Sequence, residues 1–131
     1  MTPQQQAQNA IKWIDELPNG KQAPRNNRAK LGDALDGFCC IGYGCRILEV
    51  PRDGSANGEQ AAYETFSDLV GLYGNLGEFE GTTIDNRSLA RLNDSTEEGF
   101  QGISDLMRTK PHWMFKPEVA ELIAAHYEAE L

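Results

Sequence analysis

Two adjacent cysteines, Cys39 and Cys40, are the residues in this sequence that most resemble a catalytic nucleophile. A thiol near the start of a helix has a lowered pKa, and a nearby base such as His112 or His126 lowers it further. The other interpretation is that both cysteines are small, buried apolar residues, since free cysteine is among the most buried residue types. We favour burial, because no local pattern fixes a base or an oxyanion donor.

The pair Asn93-Asp94 offers an amide and a carboxylate between the apolar Leu92 and a predicted helix. In a cleft, these groups can bind sugar hydroxyls or base edges. The alternative is that they only shape a turn or cap the helix. Chemistry alone favours the turn.

Metal and phosphate motifs are weak in this chain. Cys40 and Cys45 are too widely spaced for the usual zinc-binding pair, so we predict no metal and no cofactor. The glycines form neither a Walker nor a Rossmann loop. Seven arginines can still converge on an anion pocket: Arg25, Arg28, Arg46, Arg52, Arg87, Arg91 and Arg108.

Helical periodicity dominates the chain and positions these groups. We predict a first helix from Thr2-Pro3 to Leu17, and a buried helix over Phe38–Val50 whose glycines admit a close neighbour. A third helix is predicted over Ala61–Tyr73. The last two are a helix capped by Ser95 or Thr96 and ended by Pro111, and a helix that begins at Lys116-Pro117.

The connections are predicted from turn-forming residues. Lys21–Lys30 and Arg52–Gly58 are predicted to be loops, and Phe79–Ile84 has a weak alternation that suggests a small β-hairpin. The predicted fold class is α+β and predominantly α-helical, with four to five helices and that small hairpin. We predict one domain over residues 1–131.

Composition limits the function. The formal charge of −8 disfavours coating of duplex nucleic acid or an anionic membrane. Three cysteines, two of them adjacent, make a disulfide framework improbable and suit a reducing compartment. No apolar run approaches the length needed to span a bilayer, and we predict a cytoplasmic protein.

Three segments carry a family resemblance. They are Gly37-Phe38-Cys39-Cys40-Ile41-Gly42-Tyr43-Gly44-Cys45, Ser88-Leu89-Ala90-Arg91-Leu92-Asn93-Asp94 and Phe100-Gln101-Gly102-Ile103-Ser104-Asp105-Leu106. Together, with a helix that ends near Gly20-Lys21, they resemble a family of small proteins of tailed phages. The chain is similar, within that group, to anti-Thoeris sponges, which sequester cyclic ADP-ribose-type signals or cyclic oligonucleotides without cleaving them.

The resemblance implies a set of ligand-binding residues. Asn93 would correspond to the ligand-contacting asparagine of the family, Phe79 to an aromatic residue and Arg108 to a basic residue on the following helix. Asp94 and Arg91 complete the predicted site. The resemblance also implies a homo-oligomer with pockets between subunits.

Two functions follow from the sequence. The first is a phage counter-defence protein that binds a nucleotide immune signal in the infected bacterial host, without catalysis. The alternative is an acidic inhibitor of a host defence or nucleic-acid-handling protein, based on small size and negative charge. A weaker third interpretation is a thiol-dependent hydrolase that uses Cys39 or Cys40.

Overall fold

The computed structural model describes residues 1–20, 32–33, 37–38, 40–50, 56–72 and 99–129. The described part is predominantly α-helical, which confirms the predicted class at that level. Its five α-helices are α1 (Pro3–Glu16), α2 (Cys40–Ile47), α3 (Ala56–Val70), α4 (Gly99–Thr109) and α5 (Pro117–Ala129). Turns of 3-10 helix follow α1 at Leu17–Asn19 and α4 at Pro111–Trp113. None of the described helices is long and apolar enough to cross a membrane.

Helix α1 begins where the sequence predicts. The Thr2 hydroxyl accepts a hydrogen bond from the Gln5 backbone N–H at 3.2 Å, and the Gln5 side chain accepts one from the Thr2 N–H at 3.0 Å. This reciprocal capping box satisfies two N–H groups that a helix otherwise leaves unpaired. The buried face of α1 consists of Ala7, Ala10, Trp13 and Ile14, and the helix packs mainly against α3 and α5.

Trp13 connects α1 to three other parts of the described chain. Its indole N–H donates to the Cys40 carbonyl at 3.0 Å. Its ring meets that of Phe66 edge-on, with 4.7 Å between centroids, and that of Phe115 at 6.4 Å. All three aromatic side chains are fully buried. The core therefore surrounds one indole.

Gly44 allows α2 to approach that indole closely. A Cβ at position 44 would lie 2.4 Å from Cζ of Phe66 and 2.9 Å from Nε1 of Trp13. Neither ring is at the end of a flexible chain, so no small movement would relieve the contact. This confirms the prediction that a glycine in this helix admits a close neighbour.

Helix α4 is joined to α1 by a buried polar contact. The Ser104 hydroxyl donates to the Ile14 carbonyl at 2.8 Å, and the Ser104 side chain is fully buried. Phe100, Ile103 and Met107 are the apolar residues of the same helix that enter the core. A hydroxyl without a partner here would cost about 1–3 kcal/mol, so this bond helps to fix how α4 lies on α1.

Helix α3 ends at Gly71, which has a φ of +72°. The Leu72 N–H donates back to the Ser67 carbonyl, and the Gly71 carbonyl accepts from the Lys116 N–H at 2.8 Å. A Cβ at position 71 would also lie 2.7 Å from Cγ2 of Val119. Glycine is therefore required here both by backbone conformation and by space.

Helix α2 ends in the same type of turn without a glycine. The Val50 N–H donates to the Cys45 carbonyl at 2.8 Å, the Glu49 N–H donates to the Arg46 carbonyl at 3.3 Å, and Glu49 has a φ of +58°. These bonds are those of a Schellman motif, whose left-handed position is usually glycine. Glu49 is therefore a strained, exposed residue.

Some predicted boundaries are wrong. Helix α2 begins at Cys40, because Gly37–Phe38 (β2) pairs antiparallel with Gly32–Asp33 (β1) in a sheet of two strands with two residues each. Ala56, Asn57 and Gly58 belong to α3 and not to the predicted loop. The hairpin predicted at Phe79–Ile84, the loop at Lys21–Lys30 and the cap at Ser95 or Thr96 lie outside the described residues. The β1–β2 pair lies elsewhere in the chain, so it does not support that hairpin.

We expect Gly44→Ala to lower the free energy of unfolding by about 2 kcal/mol, the typical cost of overpacking a core. At an unconstrained helix position, alanine is more favourable than glycine by about 1 kcal/mol. A loss of stability would therefore identify the contact with Phe66 and Trp13 as its cause. Urea unfolding measures the change. Unchanged or increased stability would contradict the close approach of α2.

Glu49→Gly should raise the free energy of unfolding by about 0.5–1 kcal/mol, because glycine relieves the left-handed strain at some cost in unfolded-state entropy. Glu121→Gly is the matched control. It removes the same charge from an exposed position within α5 and should lower stability by about 1 kcal/mol. If both variants lose stability equally, the strain at Glu49 is not significant.

Candidate functional site

Arg108, in the last turn of α4, is the one predicted ligand-binding residue within the described part of the chain. Its guanidinium carbon lies 5.5 Å from the centroid of the Tyr127 ring on α5. Its Nη2 lies 3.6 Å from Oδ1 of Asp15 on α1. Three helices thus meet at this guanidinium, and we call the three residues the Asp15–Arg108–Tyr127 cluster.

Asp15 is bound more closely to Tyr127 than to Arg108. The Tyr127 hydroxyl donates to Asp15 Oδ1 at 2.7 Å, a short hydrogen bond to a charged acceptor. Burial first, and then the bond to the Asp15 carboxylate, raise the pKa of Tyr127 well above its usual range. The phenol, which any tyrosine keeps protonated at neutral pH, therefore remains a donor to the carboxylate into the alkaline range as well.

The ion pair between Arg108 and Asp15 is loose. Its 3.6 Å separation exceeds the 2.7–3.2 Å typical of N–H···O hydrogen bonds, and the side chains are 35% and 48% exposed. Pairs of this kind contribute about 0–1 kcal/mol to stability. Within the described structure, Nε of Arg108 is buried and has no hydrogen-bond partner. The guanidinium is thus held in place by a ring and a loose ion pair, while its Nε donor stays unused within the described structure.

The other predicted site residues, Phe79, Arg91, Asn93 and Asp94, lie outside the described residues. Helix α4 starts at Gly99, and its rise of 1.5 Å per residue places Arg108 roughly 13 Å along the axis from that start. Arg108 is therefore at the end of α4 opposite to the one that follows Asn93-Asp94 in sequence.

Residues from three separate parts of the chain meet at the Tyr43 ring. Tyr43 stacks on Phe100 with 5.9 Å between centroids and an angle of 29°. A Cβ at Gly20 would lie 2.8 Å from three atoms of the same ring. Gly20, Tyr43 and Phe100 are far apart in sequence and adjacent in space. Gly20 and Phe100 therefore lie beside the same aromatic ring.

The cysteines in the described part are core residues. Cys40 and Cys45 are both reduced cysteines with no exposed surface, and Cys39 lies outside the described residues. A nucleophile must contact its substrate, so the Cys40 thiol cannot act in this conformation. Of the two candidate bases, His112 is exposed and His126 packs edge-on against Tyr127 at 4.9 Å.

Two other surface features are visible. An open groove of about 310 Å³ is lined by Met1, Gln6, Thr65, Asp68 and Leu69. One of its polar side chains is already used within the protein, because the Gln6 amide donates a hydrogen bond to the Asp68 backbone carbonyl at 2.8 Å. Separately, the Lys110 ammonium lies 4.3 Å from the centroid of Trp113. In the described ranges, no three His, Cys, Asp or Glu side chains come together as a metal site.

The comparisons with known proteins gave no match among family models, curated proteins or solved structures.

Asp15 and Tyr127 are the cluster members that sequence reasoning missed. They are 112 positions apart, and Tyr127 continues the four-residue spacing of Val119 and Ile123, which is typical of the apolar face of a helix. Asp15 directly follows the buried Ile14 and reads as an ordinary solvated charge. No local spacing could have paired them.

Stability should fall as pH rises above about 10, the usual tyrosine pKa. In that range the unfolded chain releases the Tyr127 proton while the folded chain retains it, because its folded pKa is raised. Urea unfolding at pH 8 and pH 10.5 measures the loss. Tyr127→Phe should show a smaller loss than the wild-type chain, and an equal loss in both would contradict the raised pKa.

Proposed function

We propose that this protein binds a cyclic nucleotide immune signal and withholds it without cleaving it, as a phage counter-defence protein in the bacterial cytoplasm. The resemblance to phage sponges motivates the proposal. The structural observation that supports it best is the state of Arg108. Its guanidinium is positioned by a ring and a loose ion pair, and it is partly exposed.

Such a guanidinium suits a pyrophosphate. Its planar donors match two phosphate oxygens at once, and charge-assisted bonds of this type are roughly twice as strong as neutral ones. In the proposed site Arg91 adds a second positive charge, and Phe79 stacks on adenine. Asn93 and Asp94 bind ribose hydroxyls. Binding requires no activated nucleophile.

The proposal includes a homo-oligomer. Pockets shared between subunits would let residues from different copies surround one ligand. This arrangement would also bring scattered arginines together despite the net charge of −8. Each pocket would then combine guanidinium groups that are distant within one chain.

The acidic surface favours the second candidate, an inhibitor of a host protein. Carboxylates are exposed on four described helices: Asp15 and Glu16 on α1, Glu64 and Asp68 on α3, Asp105 on α4, and Glu118, Glu121 and Glu128 on α5. Such a surface attracts a basic partner and raises the rate of encounter. It would act without any nucleotide.

The test is calorimetry of the purified protein with cyclic ADP-ribose isomers and cyclic oligonucleotides. We expect saturable binding of at least one of them and its recovery intact after denaturation, as judged by mass spectrometry. Arg108→Gln should weaken binding roughly tenfold or more, since a hydrogen bond to a charged group is lost. Arg46→Gln is the control, because it removes the same charge from an exposed position on α2.

Three outcomes would count against the proposal. No heat with any of these ligands would remove the sponge and leave the inhibitor. Recovery of a hydrolysed ligand would indicate an enzyme. Equal weakening by Arg46→Gln would show that Arg108 contributes only its charge.

A further inference from the structure

We infer that Asp15 and Tyr127 are positioning residues that set the affinity of Arg108 for an anion, with Asp15 as a built-in competitor and Tyr127 as the group that restrains it. This inference rests on the proposed function only for the identity of the natural anion. Its physical content is a competition for one guanidinium between an internal carboxylate and an external anion.

The first step is that Arg108 is held in place but not saturated. The Tyr127 ring lies against the guanidinium at 5.5 Å, within the range of a cation–π contact. Within the described structure, Nε is buried without a partner, although buried donors are normally satisfied. An arginine placed only for stability would be expected to use its donors internally. Here the Nε donor is unused, and the side chain is 35% exposed, so an external anion can reach the guanidinium.

The second step is that Asp15 only partly occupies Arg108. Its Oδ1 is 3.6 Å from Nη2 but 2.7 Å from the Tyr127 hydroxyl. The tyrosine therefore draws the carboxylate away from hydrogen-bond distance to the arginine. The remaining attraction is Coulombic, and an anion at the Nη edge would lie close enough to Asp15 to be repelled by it.

The third step distinguishes this arrangement from plain structural support. If the cluster only ties α1, α4 and α5 together, Asp15→Asn and Tyr127→Phe should both reduce stability and leave anion affinity unchanged. If Asp15 competes, the two substitutions should change anion affinity in opposite directions. Asp15→Asn removes the competitor, whereas Tyr127→Phe keeps the ring and frees the carboxylate to approach Arg108.

The experiment measures binding of inorganic pyrophosphate to the full chain by calorimetry at low ionic strength. Relative to the wild-type chain, Asp15→Asn should bind about threefold more tightly and Tyr127→Phe about threefold more weakly, the scale expected for an exposed ion pair. Arg108→Lys should bind about tenfold more weakly, because lysine lacks the forked donors. The Arg108 Nε–H signal in nitrogen-15 NMR spectra should shift on titration.

Glu16→Gln is the matched control, since it removes the same charge from the adjacent exposed position on α1. It should change affinity far less than Asp15→Asn. Urea unfolding confirms that each variant is folded. The inference is overturned if the wild-type chain binds no pyrophosphate, if Asp15→Asn behaves like Glu16→Gln, or if Tyr127→Phe binds as tightly as the wild-type chain.

These outcomes are separable from those for the proposed function. Pyrophosphate contains no nucleoside, so the predicted signs can hold even if no cyclic nucleotide binds, and then only the sponge fails. Conversely, cyclic nucleotide binding that is unaffected by Asp15→Asn and Tyr127→Phe would support the sponge and overturn the competition.

Discussion

The hydrogen bond from the Trp13 indole to the Cys40 carbonyl fixes the start of α2 against the last turn of α1. Loss of the acceptor would leave a buried N–H unsatisfied, at a cost of about 1–3 kcal/mol. Because Phe66 and Phe115 pack against the same ring, the position of the indole constrains α3 and the segment before α5 as well. Gly44 is the residue that leaves room for this arrangement.

The helices could be predicted because their signals are local. Thr2 and Pro3 begin α1, Pro111 follows α4, and Pro117 begins α5. The start of α3 was missed because Asn57 and Gly58 favour a turn by composition, whereas the structure makes them helical. Intrinsic propensity is a weak signal that packing of the whole helix can override.

The candidate site was predictable only in part, for a physical reason. Arg108 was named only because the family resemblance implies a basic residue on this helix, and its partners depend on how α1, α4 and α5 pack together. The Ser104 hydrogen bond to Ile14 helps to set that packing, and it places the neighbouring Asp15 near Arg108. A contact across 112 positions has no signature in spacing or composition. The structure thus adds Asp15 and Tyr127 as partners of the predicted Arg108.

The two tryptophans lie in very different surroundings, so the intrinsic fluorescence of the protein can report on two separate regions. Trp13 is fully buried among aromatic rings, while Trp113 is half-buried beneath the Lys110 ammonium. Their emission should therefore differ in colour and in access to a dissolved quencher. Unfolding of the core should change the emission of Trp13. Binding or movement at the α4–α5 junction should change the emission of Trp113. Arg108 lies next to that junction, so intrinsic fluorescence can separate the proposed binding of an anion from unfolding without an added dye.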